Sequence, residues 1–126
     1  MTSRPILVTA ALLGALAVVL GAFGAHALRD ALDEKSLAIW QTAVDYQFRH
    51  VLALLAAGLL ARAQANRAIT FAAVAFVAGI VLFSGSLYAL ALGAPRFVGA
   101  ITPLGGAAFI AGWLALAWSA LRRADS

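Results

Sequence analysis

The sequence predicts an all-α fold, a four-helix transmembrane bundle with its N and C termini cytoplasmic, and three observations predict it. Of 126 residues, 64% are hydrophobic and 11% charged, against roughly 25% charged in ordinary soluble domains. Charge-free runs fill Ile6–Leu28, Ala68–Pro95 and Phe97–Leu121, each as long as the ~20 residues that cross a bilayer as a helix. A fourth run, Val51–Ala61, is too short alone. Extended back through Ile39, Trp40, Ala43, Val44 and Phe48, it reaches spanning length by admitting Gln41, Asp45, Tyr46, Gln47, Arg49 and His50. A soluble globular domain is excluded. One integral membrane domain over residues 1–126 is expected, with helices near 6–28, 37–61, 68–94 and 98–121.

Helix one carries Ala10, Gly14, Ala17, Gly21 and Ala25 at spacings of three or four, a stripe along which a neighbouring backbone can approach closely. Arg4, the apolar run and Ala25-His26-Ala27 imitate a cleavable signal peptide. The run exceeds the usual 7 to 15 residues of a signal h-region, so retention as a helix is expected. The connection from Arg29 to Ser36 is polar. Asp33 or Ser36 suits the N-cap of helix two, and Arg29 and Asp33 are spaced to pair.

Helix two is located in depth by arithmetic. With Arg62 at one boundary, ~30 Å of hydrocarbon at ~1.5 Å per residue reaches back to about Thr42, so Asp45, Arg49 and His50 fall inside. At ~100° per residue Gln41, Asp45, Phe48 and Arg49 share one face, with Gln47 and His50 on another. The charged face is expected to point away from lipid. Asp45 and Arg49, four apart with the acid first, are expected to pair within the helix.

Helix three contains Ser84-Gly85-Ser86, a packing or flexible point. Gly93 to Arg96 forms a turn, and Thr102 with Pro103 suits the cap and first position of helix four. Trp40 and Trp118 suit the two interfacial belts. In a four-span chain Arg4, Arg62, Arg67, Arg122 and Arg123 share one side, against Arg29, Lys35 and Arg96 on the other. The more basic side is cytoplasmic by the positive-inside rule. The net charge of +4 is thus topological, and no nucleic-acid partner is expected. The expected partners are the lipid bilayer and either a second copy or another membrane protein.

The same topology gathers His26, Gln41, Asp45, Tyr46, Gln47, Arg49, His50, Ser84, Ser86, Tyr88 and Thr102 into the outer half of the bundle. Several readings stay open. The cluster is a satisfied network that fixes helix register, giving a structural or accessory protein. Alternatively it binds a small molecule or ion, or relays a proton in transport, since ionisable groups inside a membrane mark such paths. A second alternative makes His26 and His50 haem ligands, or adds Asp45 for a metal. No diagnostic ligand spacing supports a metal site, and there is no cysteine. No cofactor is expected. Nor is an enzyme, because nucleophile, acid–base pair and cofactor motif do not coincide.

The segments Gly21-Ala22-Phe23-Gly24-Ala25-His26-Ala27-Leu28, Trp40-Gln41-Thr42-Ala43-Val44 with Tyr46-Gln47 and His50, Ser84-Gly85-Ser86-Leu87-Tyr88, and Ile101-Thr102-Pro103-Leu104-Gly105-Gly106 resemble the YgdD-like family of small bacterial membrane proteins. The resemblance covers almost the whole chain. It implies four transmembrane helices in the bacterial inner membrane and supplies no mechanism.

Overall fold

The computed structural model describes residues 3–64 and 66–124, with side chains as far as Arg122; the Arg123 side chain, counted above in the charge balance, lies outside the described residues. Helix α1 spans Ser3–His26, α2 spans Glu34–Ala63, and α3 spans Arg67–Gly79. A π turn, Ile80–Ser84, carries α3 without a break into α4, Gly85–Ala91. A 3₁₀ turn, Arg96–Ala100, precedes α5, Thr102–Ala124. The described residues therefore form four helical rods. Three of them, Ser3–His26, Arg67–Ala91 and Arg96–Arg122, are long and apolar enough to cross a membrane.

The element ends have local causes. Asp33 caps α2, its Oδ1 accepting from the Ser36 backbone N–H at 2.7 Å. The expected pairing with Arg29 gives way to this bond. That bond, aided by Lys35, holds the Asp33 carboxyl below the usual carboxylate range. A depressed folded-state value stabilises the fold above the ordinary carboxylate pKa, and the contribution is lost as pH falls through the folded value. Asp33→Ala is expected to lower thermal stability at neutral pH and to erase this acid-side loss, measured by melting the purified protein from pH 3 to 7.

Asn66 caps α3 by accepting from Ile69 N–H at 2.9 Å. Gly93, at φ 104°, turns the chain in a conformation that L side chains resist. The following 3₁₀ turn delays α5 to Thr102, later than the expected 98. Ile101, not Thr102, supplies the first carbonyls of α5, accepting from Leu104 N–H at 3.0 Å.

Packing follows side-chain size. Ala10 and Ala17 of α1 are buried. A methyl built on Gly14 would lie 3.2 Å from Val51 Cγ1, and one on Gly21 3.3 Å from Val44 Cγ1. The small-residue stripe thus receives α2, except that Ala25 is exposed and Gly24 meets Trp40 in its place. Between α3 and α5 the knobs are phenylalanines, Phe109 against Gly79 and Phe76 against Gly112. Apolar side chains such as Leu12, Val19, Phe71, Val81, Ile110 and Leu114 point outward, as suits a molecule solvated by lipid tails.

Candidate functional site

The interior polar residues tie all four rods together. Gln47, 1% exposed, donates from Nε2 to the Leu13 carbonyl of α1 at 2.9 Å, and its Oε1 accepts from the Tyr88 hydroxyl of α4 at 2.6 Å. Ser84 Oγ, in the π turn, donates to the Ala43 carbonyl of α2 at 2.7 Å. Ser86 Oγ bonds to Thr102 Oγ1 of α5 and to the Phe83 carbonyl. One extra residue in a helical turn rotates the rod beyond it by about 100°. Both serines and Tyr88 then meet partners on α2 and α5, a consequence the sequence does not signal.

His50 completes the link to α5. Its ring stacks on Phe109 with centroids 3.5 Å apart. The Trp113 indole N–H donates to Nε2 at 3.1 Å, and Nδ1 lies 2.8 Å from the Tyr46 carbonyl. An indole N–H only donates, so Nε2 is the acceptor and Nδ1 carries the hydrogen. Both ring nitrogens are thereby occupied. No buried side-chain nitrogen or oxygen among the described residues lacks a partner.

Four of the expected site residues stand outside this closed interior, and a fifth, Tyr46, sits at its edge. His26 is exposed at the end of α1. Gly14 packs opposite Val51, so His26 lies about twelve residues, or ~18 Å, along α1 from the level of His50. The two histidines are not brought together as ligands of one metal or haem. Gln41 is exposed and Asp45 half-buried, with Gln41 Nε2 donating to Asp45 Oδ1 at 2.8 Å. Arg49 is exposed, its guanidinium 5.1 Å from the Tyr46 ring centroid. Tyr46 is half-buried, and its ring packs on Phe83 at 4.5 Å between centroids.

Two expectations are thus corrected. Asp45 and Arg49 take Gln41 and Tyr46 as neighbours in place of each other. The division of α2 into two polar faces is as expected, but the charged face looks outward and the neutral one, Gln47 with His50, looks inward. The neutral groups find hydrogen-bond partners on the other rods, Leu13, Tyr88 and Trp113, and such matched interior bonds favour turning that face inward.

Two residues, both tryptophans, join the site that sequence reasoning left elsewhere. Trp113 bonds His50. Trp40, assigned to an interfacial belt, is 4% exposed, donates to the Leu20 carbonyl at 2.9 Å and packs on Tyr88 at 4.7 Å between centroids. Asn66 Nδ2 reaches Ser119 Oγ at 3.1 Å, so the far end of the bundle is not wholly apolar. The signal available for Trp40 was Gly24, whose missing side chain leaves room for the ring.

A model of the family described as "Protein of unknown function (DUF423)" matches residues 20–106. A UPF0382 membrane protein of Staphylococcus epidermidis is 46% identical over 116 residues, covering 92% of this chain and 94% of that protein. The UPF0382 membrane protein YwdK of Bacillus subtilis is 45% identical, covering 85% and 88%. The UPF0382 inner membrane protein YgdD of Escherichia coli K12 is 44% identical over 124 residues, covering 97% and 93%. No solved structure matches. With the polar network inside, lipid-facing apolar residues outside and relatives along nearly its whole length, the chain belongs to the UPF0382 (DUF423) family, small multi-pass proteins of the bacterial inner membrane whose molecular function is unknown.

Proposed function

We propose that this protein crosses the membrane four times, with both termini cytoplasmic, and acts as a structural or accessory component that works by association, with a second copy as its first partner. The observation that carries this reading is the position of Asp45 and Arg49 on the outer side of α2, Asp45 half-buried and Arg49 exposed. Val44 and Val51 pack on Gly21 and Gly14, so both charges lie beside the middle of the charge-free run of α1. An ionisable side chain at that depth costs at least ~2.5 kcal/mol on insertion scales and is nearly always found against protein, water or an opposite charge.

Among the described residues, no buried side-chain nitrogen or oxygen is left without a partner to receive them. A transport path through the bundle finds no support in such a closed network. The outer face of α2 carries one acid and one base a turn apart, and is self-complementary across a two-fold axis along the membrane normal: Asp45 of one copy meets Arg49 of its partner, and the reverse.

Charge reversal in vesicles tests this. Asp45→Arg alone and Arg49→Asp alone are each expected to self-associate at least tenfold more weakly than wild type, measured by energy transfer between labelled copies. Mixed together, the two variants restore both ion pairs and are expected to associate as wild type does. Self-association of either single variant at wild-type strength would remove the pairing, and fusion reporters at the two termini test the orientation separately.

A further inference from the structure

Between the N-terminal end of α3 and the C-terminal half of α5 runs a groove of about 830 Å³. Its lining changes character along its length. At the bundle end it is bounded by Arg67, Arg122 and Trp118, with the Asn66–Ser119 hydrogen bond across its floor. Deeper in it becomes apolar, walled by Phe71 and Leu114. From Arg122 to Ala111, the innermost lining residue on α5, is eleven residues, or ~16 Å at 1.5 Å per residue. That is about half the ~30 Å thickness of a hydrocarbon core.

We propose that this groove is a binding site for one anionic phospholipid, its phosphate held between Arg67 and Arg122 and one acyl chain laid along Phe71 and Leu114. The charge complementarity is specific to that occupant. Two guanidiniums offer planar forked donors suited to phosphate oxygens, and the first turn of α3 presents the positive end of a helix to the same place. Trp118, 57% exposed, has the amphipathic ring found at headgroup level. A soluble phosphate would use the arginines and leave the apolar wall unfilled. A zwitterionic lipid would use the wall and gain little from the charges. This site lies at one end of the bundle, away from the mid-depth Asp45 and Arg49, and it does not depend on self-association.

The test is native mass spectrometry of the purified protein with phosphatidylglycerol and phosphatidylcholine of matched chains. Each arginine near an anionic headgroup is worth about fivefold in affinity, so wild type is expected to prefer phosphatidylglycerol by roughly tenfold or more. Arg67→Gln with Arg122→Gln should bring the two lipids to equal binding. Arg62→Gln removes an exposed arginine at the same end that does not line the groove, and should leave the preference intact. Leu114→Trp, filling the apolar wall, should weaken both lipids together. An unchanged preference in the double arginine variant overturns the assignment. So does an equal loss in Arg62→Gln, which would assign the preference to general surface charge. Displacement of the lipid by millimolar inorganic phosphate would make the site one for a free ion.

Discussion

Gly105→Val is expected to abolish the native packing of α5, with loss of the folded protein from detergent extracts or a fall in melting temperature larger than any other single change at this interface. A Cβ at position 105 would stand 2.7 Å from Phe83 Cα and closer still to its backbone nitrogen. The obstacle is backbone, which cannot rotate aside as a side chain does. Relief requires moving α5 away from the π turn, and overpacking of this kind costs about 1–3 kcal/mol or more. Displacement would also part Ser86 from Thr102 and draw Trp113 off His50. Gly85, two residues along the chain from Phe83, makes the control. Nothing lies within 4 Å of a Cβ built there, so Gly85→Ala should be neutral or stabilising by about 0.5–1 kcal/mol. Similar losses from both changes would mean that general helix propensity, and not the close approach, governs this region.

Gln47→Leu is expected to give the second large effect. The substitution keeps the side chain's bulk and removes both of its bonds, leaving the Tyr88 hydroxyl without an acceptor in the interior. Losing one partner of a buried bond costs ~1–3 kcal/mol, while interhelical bonds in membranes average about 0.6 kcal/mol because the separated helices also find partners. A loss of about 1–3 kcal/mol in denaturant-induced unfolding is expected for Gln47→Leu, and a smaller one for Tyr88→Phe. The double variant is the informative measurement. With the hydroxyl gone the leucine strands no donor, so the double loss should fall short of the sum of the two singles. Strict additivity would show that residues 47 and 88 do not act as a pair.

His50 separates a structural reading of the interior from a ligand-binding one. In the structure its two nitrogens are engaged by Tyr46 and Trp113 and its ring by Phe109. Each of these is a contact between helices or within α2. The same logic covers Ser84 and Ser86, whose hydroxyls end on Ala43, Phe83 and Thr102. The buried polar side chains Gln47, His50, Ser84 and Ser86 thus all have hydrogen-bond partners within the bundle, as the proposed structural role requires. Asp45 and Arg49, the two charged residues in the middle of α2, are the ones proposed for association.

The sequence by itself determined that the chain is helical and membrane-embedded, that α2 is its polar rod, and that Gln47 and His50 lie on a different face of α2 from Asp45 and Arg49. Each of these follows from local quantities: hydropathy over about 20 residues and about 100° per residue along a helix. Tertiary structure alone decided which face turned inward. That choice depends on what the other rods offer, namely the Leu13 carbonyl, the Tyr88 hydroxyl, Phe109 and Trp113 for the neutral groups, and, among the described residues, no opposite charge for Asp45 or Arg49. It also decided the π turn at Ile80–Ser84 and the burial of Trp40 against Gly24. A helical repeat does not report an added residue per turn, and a glycine does not announce which distant ring will fill its place.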